Sequence, residues 1–143
     1  MLGMSKTIVG DADSLIALVN KEDSNHQKAR RVVAGLAEKG YAVVYPNTAI
    51  LEAITALTRK LDLREKAELI AKQSLAGGFS LVWVDEEIQR EALRFQIDNS
   101  RSKQNTIFDC LVIACLKKVS AAGIFSFDRW YSKLGFKLAH ELI

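Results

Sequence analysis

Proline, cysteine, long apolar runs and charge of one sign are all scarce in this 143-residue chain, and each scarcity excludes something. A single proline, Pro46, and one adjacent glycine pair, Gly77 and Gly78, leave no Pro- or Gly-rich linker, so residues 1–143 read as one domain. The two cysteines, Cys110 and Cys115, lie inside one apolar run. That is neither a disulfide framework nor a zinc-ligand spacing, and a reducing, cytoplasmic setting is the default expectation. The longest uninterrupted apolar stretch, residues 110–116, is far shorter than the ~20 residues that cross a bilayer. The opening MLGMSKTIVG holds no apolar core of signal-peptide length, so no membrane association is expected.

Hydrophobic residues at 49% and charged residues at 26% exclude a disordered, collagenous or coiled-coil chain. A chain of this length buries roughly two-thirds of its unfolded surface, enough for a core without staples. Lys and Arg number 20 against 17 Asp and Glu, a formal charge of +3. This excess suits a polyanionic partner but is too small to establish one. Where the acids sit therefore decides more than their sum.

Short β-rich runs alternate with longer helical ones. Residues 7–9 (TIV) read as a buried strand ending at Gly10 and Asp11, with helical signals over about 14–19 and 25–39, the second closing on Gly40 as a C-cap. Residues 41–45 (YAVVY) form a second strand stopped by Pro46. A helix from Asn47 carries Ile50, Ile54, Leu57 and Leu61 at helical spacing, and residues 63–75 support another. Residues 79–84 (FSLVWV) form a third strand, followed by a helix opened by Asp85, Glu86 and Glu87. A helix over about 106–119 and a strand over 123–127 (GIFSF) complete the pattern, with residues 136–138 as a candidate edge strand. Strands separated by helices predict an α/β fold, a three-layer α/β/α sandwich around a parallel sheet whose strand order the pattern leaves open.

In an open parallel sheet, ligands bind beyond the C-terminal strand ends. Asp11 and Asp128 follow the first and fourth strands directly, where Asp is also a common turn or N-cap residue. Asp13 is the better cap for a helix beginning at Ser14, which leaves Asp11 less explained. Asp109 heads an apolar stripe with Val112, Ile113 and Leu116 on a helix that is apolar nearly all round. A carboxylate buried there must be paired, protonated, capping or metal-bound. Glu52 falls opposite Ile50, Ile54 and Leu57 on a helical wheel, which by pattern alone makes it a solvated helix acid.

The order of these acids resembles the PIN-domain family, and within it the small ribonuclease toxins of VapBC-type toxin–antitoxin pairs. Residues 7–18 (TIVGDADSLIAL) look like the family's first motif, a strand ending in an acid (Asp11) before an apolar helix, with His26 and Ala29 similar to a frequent downstream helix pattern. Residues 48–57 (TAILEAITAL) match the second motif at Glu52. Residues 106–114 (TIFDCLVIA) match the third at Thr106 and Asp109, and residues 124–131 (IFSFDRWY) the fourth at Ser126, Asp128 and Tyr131. The likeness covers about residues 7–138. Two departures stand out: Asp13 occupies a position more often Ser, Thr or Asn, and Ser126 replaces the commoner Thr.

The resemblance implies a metal-dependent ribonuclease. Asp11, Asp109 and Asp128 would be principal ligands of Mg²⁺ or Mn²⁺, with Glu52 joining directly or through water. Thr106 and Ser126 would orient the carboxylates, and Asp13 would hold the ion through water or only cap the helix. Hard oxygen ligands suit such ions better than zinc. Arg59, Arg101, Lys103 and Arg129 are candidate phosphate contacts or solvated charges, while Trp130 and Tyr131 are candidates to stack on a base or to pack the last helix. The implied partners are an RNA substrate, an antitoxin protein and a second copy in a homodimer, with residues 28–39 and 50–75 offering apolar positions for an interface or for the core. PIN nucleases of RNA maturation or decay carry the same motifs. Asp11-Ala12-Asp13 also fits the opening of a haloacid-dehalogenase-type phosphatase, although Asp128-Arg129 supplies one acid where that family needs a pair. An inactive PIN fold kept as a binding module is a third reading, and such members usually lose acids that this chain retains.

Overall fold

Ile8 and Val9, neighbours on the first strand, point to opposite faces and meet different helical layers. The structure, a computed structural model, describes residues 6–99 and 105–143. In chain order these form β1 (Thr7–Gly10), α1 (Ala12–Val19), α2 (His26–Glu38), β2 (Ala42–Pro46) and α3 (Asn47–Thr55), which runs on into a π-helical turn (Ala56–Lys60). Then come α4 (Arg64–Leu75), β3 (Leu81–Val82), α5 (Glu86–Asn99), α6 (Ile107–Val119), β4 (Gly123–Phe125), α7 (Trp130–Lys133) and a closing 3₁₀ turn (Ala139–Leu142). The sheet is parallel throughout, in the order β3-β2-β1-β4. Helices cover both faces, which is the three-layer α/β/α architecture expected from the alternation of elements.

Ile8 packs with Ala29, Val32 and Leu36 of α2 and with Phe125 of β4. Val9 packs on the other face with Ile88 and Ala92 of α5, Val112 and Ile113 of α6, and Tyr131. A third group around Tyr45 joins α1, α3 and α4 through Leu15, Ile50, Leu57 and Ile70. The apolar sequence of α6 is buried from Asp109 to Cys115, and both cysteines are free thiols. Burial pushes Cys110 up to about 11 and Cys115 to about 12, so both stay protonated at neutral pH.

Several boundaries move from where the sequence pattern puts them. Helix α1 starts at Ala12, two residues early, because Asp11 rather than Asp13 supplies the cap: its Oδ1 accepts from the Ala12 N–H at 2.7 Å. Strand β3 shrinks to two residues, since the Val84 N–H turns to the Asn47 side chain (2.8 Å) instead of a neighbouring strand. Strand β4 ends at Phe125 because the Phe127 N–H is drawn to Asp13 Oδ2 at 2.8 Å. Residues 136–138 make only an isolated bridge, Ile124 to Leu138, before the chain curls into its 3₁₀ turn. The end of α2 behaves as expected. Gly40 takes φ +80°, and the Tyr41 N–H reaches back to the Leu36 carbonyl at 2.9 Å in a Schellman closure.

From β1 the chain steps outward to β2 and β3, then crosses back to lay β4 on the other side of β1. The direction of winding reverses between β1 and β4, and a crevice opens there beyond their carboxyl ends. Gly10 closes β1 at that crevice because a Cβ would run into the Tyr45 ring. Tyr45 is itself fixed by its hydroxyl, 3.0 Å from Ser14 Oγ. The Gly10→Ala substitution is therefore expected to destabilise the fold by about 1–3 kcal/mol through overpacking. Denaturant unfolding should show a lowered midpoint at unchanged slope.

Candidate functional site

The crevice is lined by Asp11, Asp13, Glu52, Asp109 and Asp128, together with Ala12, Ile16, Ala56 and Thr106, around a cavity of about 230 Å³. Five carboxylates face one space, and among the described residues no basic side chain lines it. Each acid arrives on a different piece of the fold. Asp11 and Asp13 come from the β1–α1 junction, Glu52 from α3, Asp109 from the first turn of α6 and Asp128 from the loop after β4.

Hydrogen bonds fix their directions. Asp11 accepts the Ala12 N–H at Oδ1 and the Tyr131 hydroxyl at Oδ2, 2.6 Å away. Asp109 Oδ2 closes a capping interaction by accepting from the Thr106 N–H at 2.9 Å, while Thr106 Oγ1 accepts from the Phe108 N–H at 3.2 Å. The Asn105 amide bridges two acids, donating to Asp109 Oδ2 at 3.3 Å and to Asp128 Oδ2 at 3.1 Å. Ser126 bridges another pair: its hydroxyl donates to Asp13 Oδ2 (2.9 Å) and accepts from the Asp128 N–H (3.1 Å). Asp128 Oδ1 accepts from the Trp130 N–H at 2.9 Å.

Electrostatics follow from this crowding. Burial, followed by repulsion from Asp13, Asp109 and Glu52, holds Asp11 well above the usual carboxylate range, against the Tyr131 hydrogen bond. Burial raises Asp13 to about 6, opposed by the hydrogen bonds from Phe127 and Ser126. Glu52 rises to about 7 through burial and repulsion from Asp109 and Asp13. Asp109 is also raised, chiefly by burial.

The residues present fit a hard divalent cation. Asp13 Oδ1 is buried with no hydrogen-bond partner, an unpaired acceptor of the kind that a cation or its water would satisfy. The donor set is all carboxylate, with no Cys or His in the wall. Among the described residues no group of three or more His, Cys, Asp or Glu is already arranged around one point as a metal site would be.

Several positions differ from their sequence reading. Glu52 is not a solvated helix acid, because α6 packs beside α3 and turns that flank of the helix into cavity wall. Asp13 does not cap α1; it ties the first turn of α1 to the strand-four loop. Tyr131 is not available to stack on a base, since its ring is fully buried and its hydroxyl belongs to Asp11. Trp130 packs edge-on to Phe95 of α5, the structural alternative considered for it. His26 is buried, with Nδ1 2.7 Å from the Ala17 carbonyl, and joins α2 to α1. Arg59 lines an adjoining groove, Arg129 is exposed beside Asp128, and Arg101 and Lys103 lie outside the described residues. Sequence reasoning missed Asn105; its place one residue before the Thr106 motif was the available signal.

The sequence that brings a strand-end acid pair, a helix-borne Glu and a capping Asp together at the switch point of a parallel sheet matches the PIN-domain family model. That model matches residues 8–137, and the chain belongs to the PIN-domain family. Membership sets aside the haloacid-dehalogenase reading of Asp11-Ala12-Asp13. Among solved structures the fold is similar to that of Mycobacterium tuberculosis VapC20, described as a Sarcin-Ricin loop cleaving toxin. The TM-score is 0.79 at 22% identity, over 91% of this chain and 96% of that one. No curated protein matches the sequence.

Asp13 moves from 3.8 to about 6 and Glu52 from 4.5 to about 7 on folding, so across that window the folded chain binds more protons than the unfolded one. Stability of the metal-free protein therefore falls as pH rises. The thermal midpoint in EDTA is expected to be lower at about pH 8 than at about pH 5. Mn²⁺ should raise it more at the higher pH. A midpoint that climbs with pH in EDTA contradicts the repulsion described here.

Proposed function

We propose that this protein is a Mg²⁺- or Mn²⁺-dependent ribonuclease that hydrolyses RNA phosphodiester bonds and acts as the toxin of a type II toxin–antitoxin pair. The observation that carries the catalytic part is the convergence of five carboxylates on one cavity with no basic side chain among the described residues, and with Asp13 Oδ1 left unpartnered. Family membership and the fold shared with a ribonuclease toxin support the rest.

Asp11, Asp109 and Asp128 hold the ion, and Glu52 joins directly or through water. Asp13 offers Oδ1 to the ion's water shell while Oδ2 stays engaged with Ser126 and Phe127. A bound Mg²⁺ or Mn²⁺ supplies a more acidic water for in-line attack on phosphorus and positive charge against the phosphoryl oxygens. The chain's own contribution is aim. The Tyr131 hydroxyl stops the Asp11 carboxylate from rotating, and the Asn105 amide keeps Asp109 and Asp128 side by side. Ser126 couples Asp128 to Asp13, which ties the loop after β4 to the first turn of α1. Arg59 and the exposed Arg129 offer positive charge to neighbouring phosphates.

The partner proposals are an antitoxin protein and a homodimer, both from the likeness to a toxin. Uncovered apolar side chains remain on the helices that would carry such contacts, Val33 on α2 and Leu69 and Leu75 on α4.

Purified protein is expected to cut single-stranded or structured RNA in Mn²⁺ and to lose that activity in EDTA. Asp11→Asn and Asp109→Asn should each lower the cleavage rate by more than about 100-fold while RNA binding persists. Tyr131→Phe should cost about 10- to 100-fold and move half-maximal activity to higher Mn²⁺ concentration. Wild-type protein that cuts no RNA in Mg²⁺ or Mn²⁺ overturns the ribonuclease reading, and full activity in Tyr131→Phe overturns the role given to the hydroxyl.

A further inference from the structure

We propose that the groove between α3, its π-helical extension and the first turn of α6 is a nucleobase subsite, in which Phe108 stacks on an unpaired base of single-stranded RNA next to the phosphate held at the acids. The proposal rests on the ribonuclease reading and adds to it a residue that binds substrate.

The groove has a volume of about 500 Å³, within the range of sites that enclose small organic groups. It adjoins the carboxylate cavity, and the two share Glu52, Ala56 and Thr106 as common wall. Two pairs of consecutive residues build this boundary. On α3, Leu51 lines the groove and Glu52 lines both spaces; on α6, Phe108 lines the groove and Asp109 the acid cavity. Successive helical residues point about 100° apart, so one helix turn delivers a carboxylate to one space and an apolar side chain to the other. An RNA strand with a phosphate among the acids therefore has an apolar recess beside it.

The recess is open for use. Phe108 is 43% exposed and Leu51 60%. Arg59 and Lys60 also line the groove, the only basic side chains among the described residues in the wall of either cavity, placed to meet the phosphates on either side of the stacked base. The helix there is a π turn, with Thr55 Oγ1 donating to the Leu51 carbonyl at 2.9 Å, an irregularity that often accompanies a binding site. Single-stranded RNA brings a π face for Phe108 and phosphates for Arg59 and Lys60 in one chain. A protein segment would have to supply acids at matching positions.

The test compares a fluorescent mixed-sequence single-stranded RNA with an abasic ribose-phosphate strand of the same length. Binding is read by anisotropy in Mg²⁺, in the cleavage-deficient Asp11→Asn background. Preference for the RNA over the abasic strand is expected to be about 5- to 100-fold, the usual worth of base–aromatic stacking, to approach unity with Phe108→Ala, and to be retained with Phe108→Trp. Arg59→Ala should weaken both strands alike. A preference that survives Phe108→Ala overturns the subsite, as does a Phe108→Ala protein whose only change is loss of a dimer or of a protein partner. Wild-type cleavage of the same RNA in Mn²⁺ separates the two readings. Cleavage with a Phe108-independent preference defeats the subsite alone, whereas Phe108-dependent binding without cleavage defeats the ribonuclease reading and leaves the subsite standing.

Discussion

Mutual repulsion among five carboxylates gathered at one cavity is the constraint from which the rest of this molecule follows. Asp11, Asp13, Glu52, Asp109 and Asp128 face a cavity whose wall, among the described residues, contains no Lys, Arg or His. The two ion pairs found among the described residues, Lys117 with Glu91 and Lys118 with Glu87, lie on the surface far along α6 and do nothing to relieve it. Some of the acids must take up protons or share a cation. The fold tolerates the crowding because four of the carboxylates are held by donors that cannot follow them elsewhere: a helix N-terminus at Asp11, a capping box at Asp109, an amide between Asp109 and Asp128, a hydroxyl between Asp13 and Asp128.

Those donors depend in turn on the strand order. Placing β4 beside β1 puts the Phe125 carbonyl within reach of the Asp11 N–H, 3.1 Å away, and brings the loop after β4 over the start of α1. Tyr131, on the single turn of α7, can then reach back to Asp11 while its ring fills the core beneath α6. A tyrosine buried so completely between apolar side chains and an acid is costly to form unless its hydroxyl is paired, so core packing and carboxylate alignment are one interaction.

Much of the fold and the main acids were legible in the sequence. Alternating strand and helix periods gave the layers, and Asp11, Asp109 and Asp128 stood out because each follows a strand or opens an apolar helix. Glu52 misled because a helical wheel assumes one buried side, whereas α3 is flanked by a core on one side and the acid cavity on another. Asp13 looked like a cap because local spacing cannot show that Ser126 and Phe127, more than a hundred residues onward, claim its carboxylate. Tyr131 and Asn105 were obscure for the same reason: their partners are fixed by strand order, which the sequence pattern does not encode. The formal +3 also changes meaning, since five of the 17 acids are gathered into one cavity and the remaining surface is more basic than the sum implies.

Calorimetric titration of Mn²⁺ into the protein near neutral pH, in buffers of different ionisation enthalpy, tests the central claim most directly. Carboxylates raised by burial and by one another, Asp13 to about 6 and Glu52 to about 7, should give up protons when a cation enters, so saturable binding with measurable proton release is predicted, lost when Asp11 and Asp109 are both changed to Asn. Absence of saturable Mn²⁺ binding, or binding undiminished in that double variant, would contradict the account.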